Sequence, residues 1–350
     1  MEALKKDKSI GTIIGCGVGD SLGMPVEGWK PEQIKKYAGR IVGPVDPVIV
    51  KDKSGNILEA DEFGKIKCWN KNLKKGDVTD DTILTLALLG SLGICAGSGK
   101  LDMGTVAKGQ IKAYESNHVQ SFGKTTKEAF ANLQKGISPE HSGVIGGPGN
   151  APPMKMAPLG MYMDAKNAYE EGLLFAEKVG LMTHLDPRSV AAGVMQAHAV
   201  YSLLQGTNKE KFLSSLVDVC RRFEKPLEDK FTFSKSGTLL ERMRWIIENK
   251  DGAVESAYQH LGNTSSVYRS YPFTLFMFQK YWDQPLEGLL ETINYGGDCD
   301  TTGAMFGALA GAKHGNIFPK HWLNEDTYFL LEIMSGIFYA ACANSIRGRP

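Results

Sequence analysis

Apolar positions recur with a helical period through most of this 350-residue chain, which predicts helices near residues 10–22, 103–114, 126–135, 168–182, 189–204, 209–220, 237–248, 253–260, 271–281, 286–294 and 328–343. Further apolar helices are expected from Ile83 onward and over residues 301–312. No series of alternating strands accompanies them, so the expected class is all-α. The length suits one large domain or two smaller ones, and the chain is read as a single domain over residues 1–350. The helical period lapses between Ala38 and Lys75, where Pro44, Pro47, the turn-like Lys53-Ser54-Gly55-Asn56 and a short basic loop from Lys71 to Lys75 predict a small hairpin or irregular lid. It lapses again in the Gly- and Pro-rich stretch from Ile145 to Gly160, read as a loop.

Two predicted helices carry a bare stripe. Gly11, Gly15, Gly19 and Gly23 recur every four residues, as do Gly303, Gly307 and Gly311. Glycine costs roughly 1 kcal/mol against alanine inside a helix, so such stripes need a compensating close approach. Both helices are therefore expected deep in the core, near the acidic residues that adjoin them.

Those acids form two clusters, each opening an apolar helix: Gly76-Asp77-Val78-Thr79-Asp80-Asp81-Thr82 and Tyr295-Gly296-Gly297-Asp298-Cys299-Asp300-Thr301-Thr302. One such cluster alone is most simply a helix cap, its oxygens accepting the unpaired first-turn N–H groups. Adjacent aspartates repel, however, and a cap needs only one. Two such ends, more than two hundred residues apart, look like halves of one oxygen-rich site for hard divalent ions such as Mg²⁺ or Mn²⁺. Glu27 follows Asp20 and Pro25 on a predicted turn, and by itself reads as a surface carboxylate.

Composition narrows the partners. With 40 basic and 39 acidic residues the net charge is +1, which gives no reason to expect nucleic acid or an anionic membrane. No uninterrupted apolar run approaches the roughly 20 residues of a bilayer span, and a soluble, cytoplasmic protein is expected. The six cysteines are scattered without a Cys-x-x-Cys pair, arguing against a zinc site or disulfide framework. Cys299, between two aspartates, lacks an evident base and reads as packing. Gly15-x-Gly17-x-Gly19 fails as a dinucleotide fingerprint because Asp20 stands where the third glycine is required and no βαβ unit surrounds it. Gly123-Lys124-Thr125 fails as a phosphate loop because its partner glycine is absent. In the Ile145–Gly160 stretch the glycines permit an anion nest, with Lys155 adding charge. A lone histidine at a corner such as His184 is more often structural.

Taken together and in this order, the motifs resemble the ADP-ribosylglycohydrolase family, the group that includes the enzyme reactivating ADP-ribosylated dinitrogenase reductase. The resemblance runs from about Ile10 to Trp322. It rests on Gly19-Asp20-Ser21-Leu22-Gly23 with Pro25 and Glu27, on the two acidic clusters, and more weakly on Gly149-Asn150, Ala157-Pro158-Leu159-Gly160, Thr183-His184 and Pro319. It implies a compact orthogonal helical bundle holding two divalent cations, Mg²⁺ or Mn²⁺, in a cleft. Implied metal residues are Glu27, Thr79, Asp80, Asp81, Asp298, Asp300 and Thr301, with Glu27, Asp80 and Asp300 catalytic. Asn150, Gly149, His184 and Gly123 would line the ADP-ribose path, and Asp20 would be structural. The implied substrate is an ADP-ribosylated protein, arginine-linked in the leading case, or a small ADP-ribosyl compound. ADP-ribose is the product, ADP-ribosylated nucleic acid is a lesser option, and the chain is expected to act as a monomer. Ala151-Pro152-Pro153-Met154-Lys155 departs from the family's pattern: prolines remove N–H donors, and Lys cannot make the bidentate fork of Arg. The alternative is a catalytically weak or inactive ADP-ribose binder of the same fold. Reading Asp298-Cys299-Asp300-Thr301-Thr302 as a haloacid-dehalogenase nucleophile motif fails because the preceding stretch is helical.

Overall fold

The structure is a computed structural model that describes residues 2–116, 121–231 and 237–347. Its centre is an antiparallel pair of helices, α1 (Glu2–Gly23) and α15 (Cys299–His314), whose glycine stripes face one another. A methyl built on Gly19 would overlap the carbonyl of Gly303, one on Gly15 or Gly307 would strike the other's carbonyl, and one on Gly23 would strike the backbone of Cys299. The two backbones touch directly, so the compensation expected for these glycines is close approach of one helix to the other.

Between them come α2 (Pro31–Tyr37), α3 (Asp80–Ser98), α4 (Met103–Ser116), α5 (Lys124–Gln134), α6 (Ala151–Lys155), α7 (Ala157–Lys166), α8 (Tyr169–Leu181) and α9 (Pro187–Leu204). There follow α10 (Lys209–Glu228), α11 (Leu239–Asn249), α12 (Val254–Leu261), α13 (Val267–Lys280) and α14 (Pro285–Asn294), and after α15 the last helix, α16 (Glu325–Arg347). From Cys299 to Ala312 every residue of α15 is buried, and α9 is buried on all sides but at Tyr201. Helices apolar all round belong in the core, and these two lie there with α1. The apolar α3 has the length and hydropathy of a membrane span, yet it packs against α4 and α16 with 56% of that window buried.

The expected all-α class holds. The lapse over 38–75 contains a two-stranded antiparallel hairpin, β1 (Ala60–Asp61) and β2 (Gly64–Lys65), in an otherwise irregular segment. The Gly- and Pro-rich stretch is a loop only as far as Asn150, after which α6 and α7 begin. Pro152, Pro153 and Pro158 occupy first-turn positions, where a missing N–H leaves no intrahelical bond unmade. Proline thus opens these helices, in a stretch expected to be loop throughout.

Replacing Gly19 or Gly307 by leucine is expected to abolish the native melting transition, because the opposing atoms are backbone and cannot swing aside. Gly97, in α3 with open space around it, supplies the contrast: Gly97→Ala should raise stability by roughly 0.5–1 kcal/mol. A leucine variant that melts like the parent would contradict the contact.

Candidate metal centre and cleft

The acids that adjoin the crossed helices converge. Asp81 and Asp300 each bring a carboxylate oxygen within 4.8 Å of the other and of Asp20, and Asp300 stands in the same relation to Glu27 and Asp298. Asp300 is therefore common to two triads drawn from three distant segments. The Thr301 hydroxyl donates to Asp81 Oδ2 at 3.4 Å, across 220 positions of sequence.

Local geometry frees these carboxylates for the cleft. In α3 the cap is Thr79, whose Oγ1 accepts from the Asp81 N–H, so neither Asp80 nor Asp81 is spent on capping. Asp298 stands at the N-cap of α15 but makes no side-chain cap bond; its Oδ2 accepts from Asn150 Nδ2 at 2.7 Å instead. Gly296 and Gly297 take left-handed φ of 64° and 69° in the turn before α15. There Gly28 N donates to the Gly297 carbonyl at 2.6 Å, and Gly297 N to that of Trp29 at 2.7 Å. That reciprocal pair holds the Glu27 segment beside Asp298. Asp20 stands behind the cleft, accepting from Thr82 Oγ1 at 2.6 Å and from the backbone N–H groups of Thr79 and Thr82. It anchors the start of α3.

Burial dominates the electrostatics. It pushes the Asp20 and Asp80 carboxyls up to about 6 and those of Asp81 and Asp300 well above the usual range, with neighbouring carboxylates adding to the last two. Glu27 is raised to about 8 by burial and by the charge of Asp298. Protein hydrogen bonds leave this cluster incompletely satisfied: Asp81 Oδ1 is buried with no partner. An all-oxygen donor set with an orphaned carboxylate oxygen fits a hard divalent cation.

The cluster floors a cleft of about 330 Å³, within the range of small-molecule sites. Glu27, Asp80, Asp81, Asp298, Asp300, Thr301, Gly123, Gly149, Asn150 and His184 all line it. Thr79 lies behind, fully buried. The 147–150 loop is held by Val267 N donating to the Pro148 carbonyl at 2.6 Å and by Asn150 N donating to that of Ser265. Gly149 lies against the His184 ring, where a Cβ would come within 2.7 Å of Nε2. Burial lowers His184 to about 3, so it is neutral, with Nδ1 2.9 Å from Thr183 Oγ1. Asn150 serves Asp298 as well as the wall of the cleft.

Lys155 departs from its expected place. It is fully buried, does not line the cleft, and its Nζ has no hydrogen-bond partner. Burial depresses it to about 8, partly offset by Asp80. As the last residue of the one-turn α6 it is buried behind the cleft wall, one residue beyond Met154, which lines it.

Other residues at the site escaped sequence reasoning. Asn70, from the irregular segment, donates its Nδ2 to Glu27 Oε2 at 2.9 Å and to the Met24 carbonyl at 3.3 Å. Ser121 Oγ accepts from Asp80 N at 3.3 Å. Ser265, Ser266, Lys124, Thr125 and Thr126 complete the walls. No local pattern marks Asn70 or Ser121; the only signal was the lapse of helical period around Asn70.

Comparison with known proteins shows the family. The chain is 25% identical over 326 residues to the ADP-ribosyl-[dinitrogen reductase] glycohydrolase of Rhodospirillum rubrum, covering 91% of this chain and 90% of that one. It is 23% identical over 341 residues to the ADP-ribosylarginine hydrolase Tri1 of Serratia proteamaculans, covering 93% of this chain and 76% of the relative. Among solved structures, an ADP-ribosylglycohydrolase-related protein complex superposes with a TM-score of 0.61 at 22% identity, covering 98% of this chain and 99% of the other, a likeness of fold. The family model for ADP-ribosylglycohydrolase matches residues 1–342, and the chain belongs to that family.

Proposed function

We propose that this protein is a metal-dependent hydrolase that cleaves the glycosidic bond between ADP-ribose and an acceptor, with a protein arginine side chain as the leading acceptor. The observation that carries the proposal is Asp300, shared by two buried acid triads at the floor of the cleft. The family and the names of its relatives support the ADP-ribosyl substrate, and the Serratia relative supports arginine. Glu27, Thr79, Asp80, Asp81, Asp298, Asp300 and Thr301 would hold two divalent ions, Mg²⁺ or Mn²⁺. Bound there, such ions supply positive charge against the ribose oxygens and lower the pKa of water.

The chain's own groups do the rest. Cleavage at the anomeric carbon passes through an oxocarbenium-like state, in which water adds as the bond to the acceptor nitrogen or oxygen breaks. Glu27, at the floor of the cleft beside Asp298 and Asp300, would move the proton, either from that water or to the leaving group. Asn150 orients Asp298 through its amide, and Asp80 is steadied by Ser121. Gly147, Gly149 and Gly123 leave the path to the floor uncrowded, so pyrophosphate can approach main chain. A neutral His184 presents no charge to it.

Asp80→Ala and Asp300→Ala should each lower turnover of arginine-linked ADP-ribose by roughly 10²-fold or more, and chelation should do the same reversibly. Free ADP-ribose released from arginine-, serine- and nucleic-acid-linked substrates is the measurement, and undiminished release in metal-free buffer would refute the proposal.

The raised carboxyls also predict a pH dependence. Between pH 6.5 and 8 the folded, metal-free protein holds on Glu27 a proton that the unfolded chain has lost, and burial raises Asp81 and Asp300 in the same sense, so its stability falls as pH rises. His184 and His198, depressed to about 3 and about 4, lose their contribution only as pH falls below roughly 6.5. Divalent ions bind the deprotonated cluster. The rise in Tm on adding Mn²⁺ should therefore be several degrees greater at pH 8 than at pH 6.5, and a rise independent of pH would count against the cluster as the binding site.

A further inference from the structure

The irregular segment that sends Asn70 to Glu27 has an outer surface unlike the rest of the chain. From Phe63 to Gly76 it contains Lys65, Lys67, Lys71, Lys74 and Lys75 and no acid. All five lysines are exposed, and among the described residues none forms an ion pair with a carboxylate. Between them Trp69 stands 62% exposed, although an indole is normally highly buried. Lys67 Nζ lies 5.1 Å from the centre of its ring.

This strap is fastened to the reacting end of the cleft. Besides the Asn70–Glu27 bond, Trp29 Nε1 donates to the Lys67 carbonyl at 2.6 Å. A Cβ on Gly28 would lie 3.1 Å from Trp69 Nε1 and 2.8 Å from Lys67 Cδ. Glu27 is thus the lining residue that the strap holds, whereas the walls at 121–126, 147–151 and 265–266 belong to other segments. The strap therefore lies on the Glu27 side of the cleft.

We propose that the strap is a docking surface for the modified protein, selecting acceptors whose modified side chain is flanked by acidic residues, with Trp69 as the apolar anchor. Tryptophan commonly supplies such an anchor, and unpaired lysines around it attract and orient an acidic partner. A short acidic segment fits better than a nucleic acid. The whole chain carries only +1, so outside the strap it is net acidic, and a long polyanion would run off the patch into repulsion.

The proposal rests on the hydrolase assignment for which side of the cleft faces the acceptor, and its test separates the two. Peptides carrying one ADP-ribosyl-arginine, flanked by glutamates or by serines, are compared as substrates of the wild-type protein, of a Lys71→Ser, Lys74→Ser, Lys75→Ser triple variant, and of Trp69→Ala. The unmodified peptides and a single-stranded oligonucleotide serve as ligands in calorimetry. The wild type should show a KM roughly tenfold lower for the glutamate-flanked peptide, an advantage that fades with added salt and disappears in the triple variant. In Trp69→Ala the KM for both peptides should rise several-fold. Affinity for free ADP-ribose should stay the same in all three proteins. Equal KM values for the two peptides, loss of ADP-ribose affinity in the variants, or tighter binding of the oligonucleotide than of the glutamate peptide would each overturn the proposal. Should no modified peptide be cleaved, the hydrolase assignment fails by itself. Binding of the unmodified glutamate peptide, present in the wild type and lost in the triple variant, still supports docking, and its absence overturns it.

Discussion

Direct contact between the backbones of α1 and α15 is the constraint on which the rest of the structure depends. Each step of four residues along one helix meets a step of four on the other, from Gly11 against Gly311 to Gly23 against Cys299. Because main-chain atoms fill the interface, the relative position of the two helices cannot relax by side-chain repacking. That rigidity sets Asp20 and the Glu27 turn beside Asp298 and Asp300, and α3 is tied on by Asp20 through Thr79 and Thr82. The helical cost of the glycines, roughly 1 kcal/mol each, is offset by the packing they allow.

A site held this rigidly can afford unfavourable electrostatics. Six carboxylates lie in one place, Asp20, Glu27, Asp80, Asp81, Asp298 and Asp300, and five have carboxyls shifted toward the neutral form. Asp20 is compensated by backbone and hydroxyl donors, whereas Asp81 keeps an oxygen without a partner. Desolvation disfavours charge here, and a dication bound to the cluster, as proposed, would offset that cost. Preorganisation and strain are two consequences of one arrangement.

The proposed docking strap is separate from this machinery in the chain. The acids adjoin buried helices, while the segment around Asn70 and Trp69 is irregular, lysine-rich and attached at a few points. A segment of that kind tolerates change in its outer residues with little effect on the core, yet Asn70 keeps it in register with Glu27.

Local sequence determined a good deal of this protein. The glycine period of four, the acid–hydroxyl pairs at two helix starts and the apolar period of the other helices are statements about near neighbours, and they carried the helical class and the acids now seen together. Only the tertiary structure decided what each acid faces. Thr79 as the cap that frees Asp80 and Asp81, Asn150 turned to Asp298, and Lys155 drawn into the core by the single turn of α6 all depend on the space around them. Asn70 and Ser121 reach Glu27 and Asp80 across 43 and 41 positions of chain, a separation over which residue periodicity carries no signal. The loop expected over 145–160 gave way to α6 and α7 for the same reason: whether proline opens a helix depends on where the helix begins, and the contacts of the 147–150 loop with Ser265 and Val267 hold the chain just before that beginning.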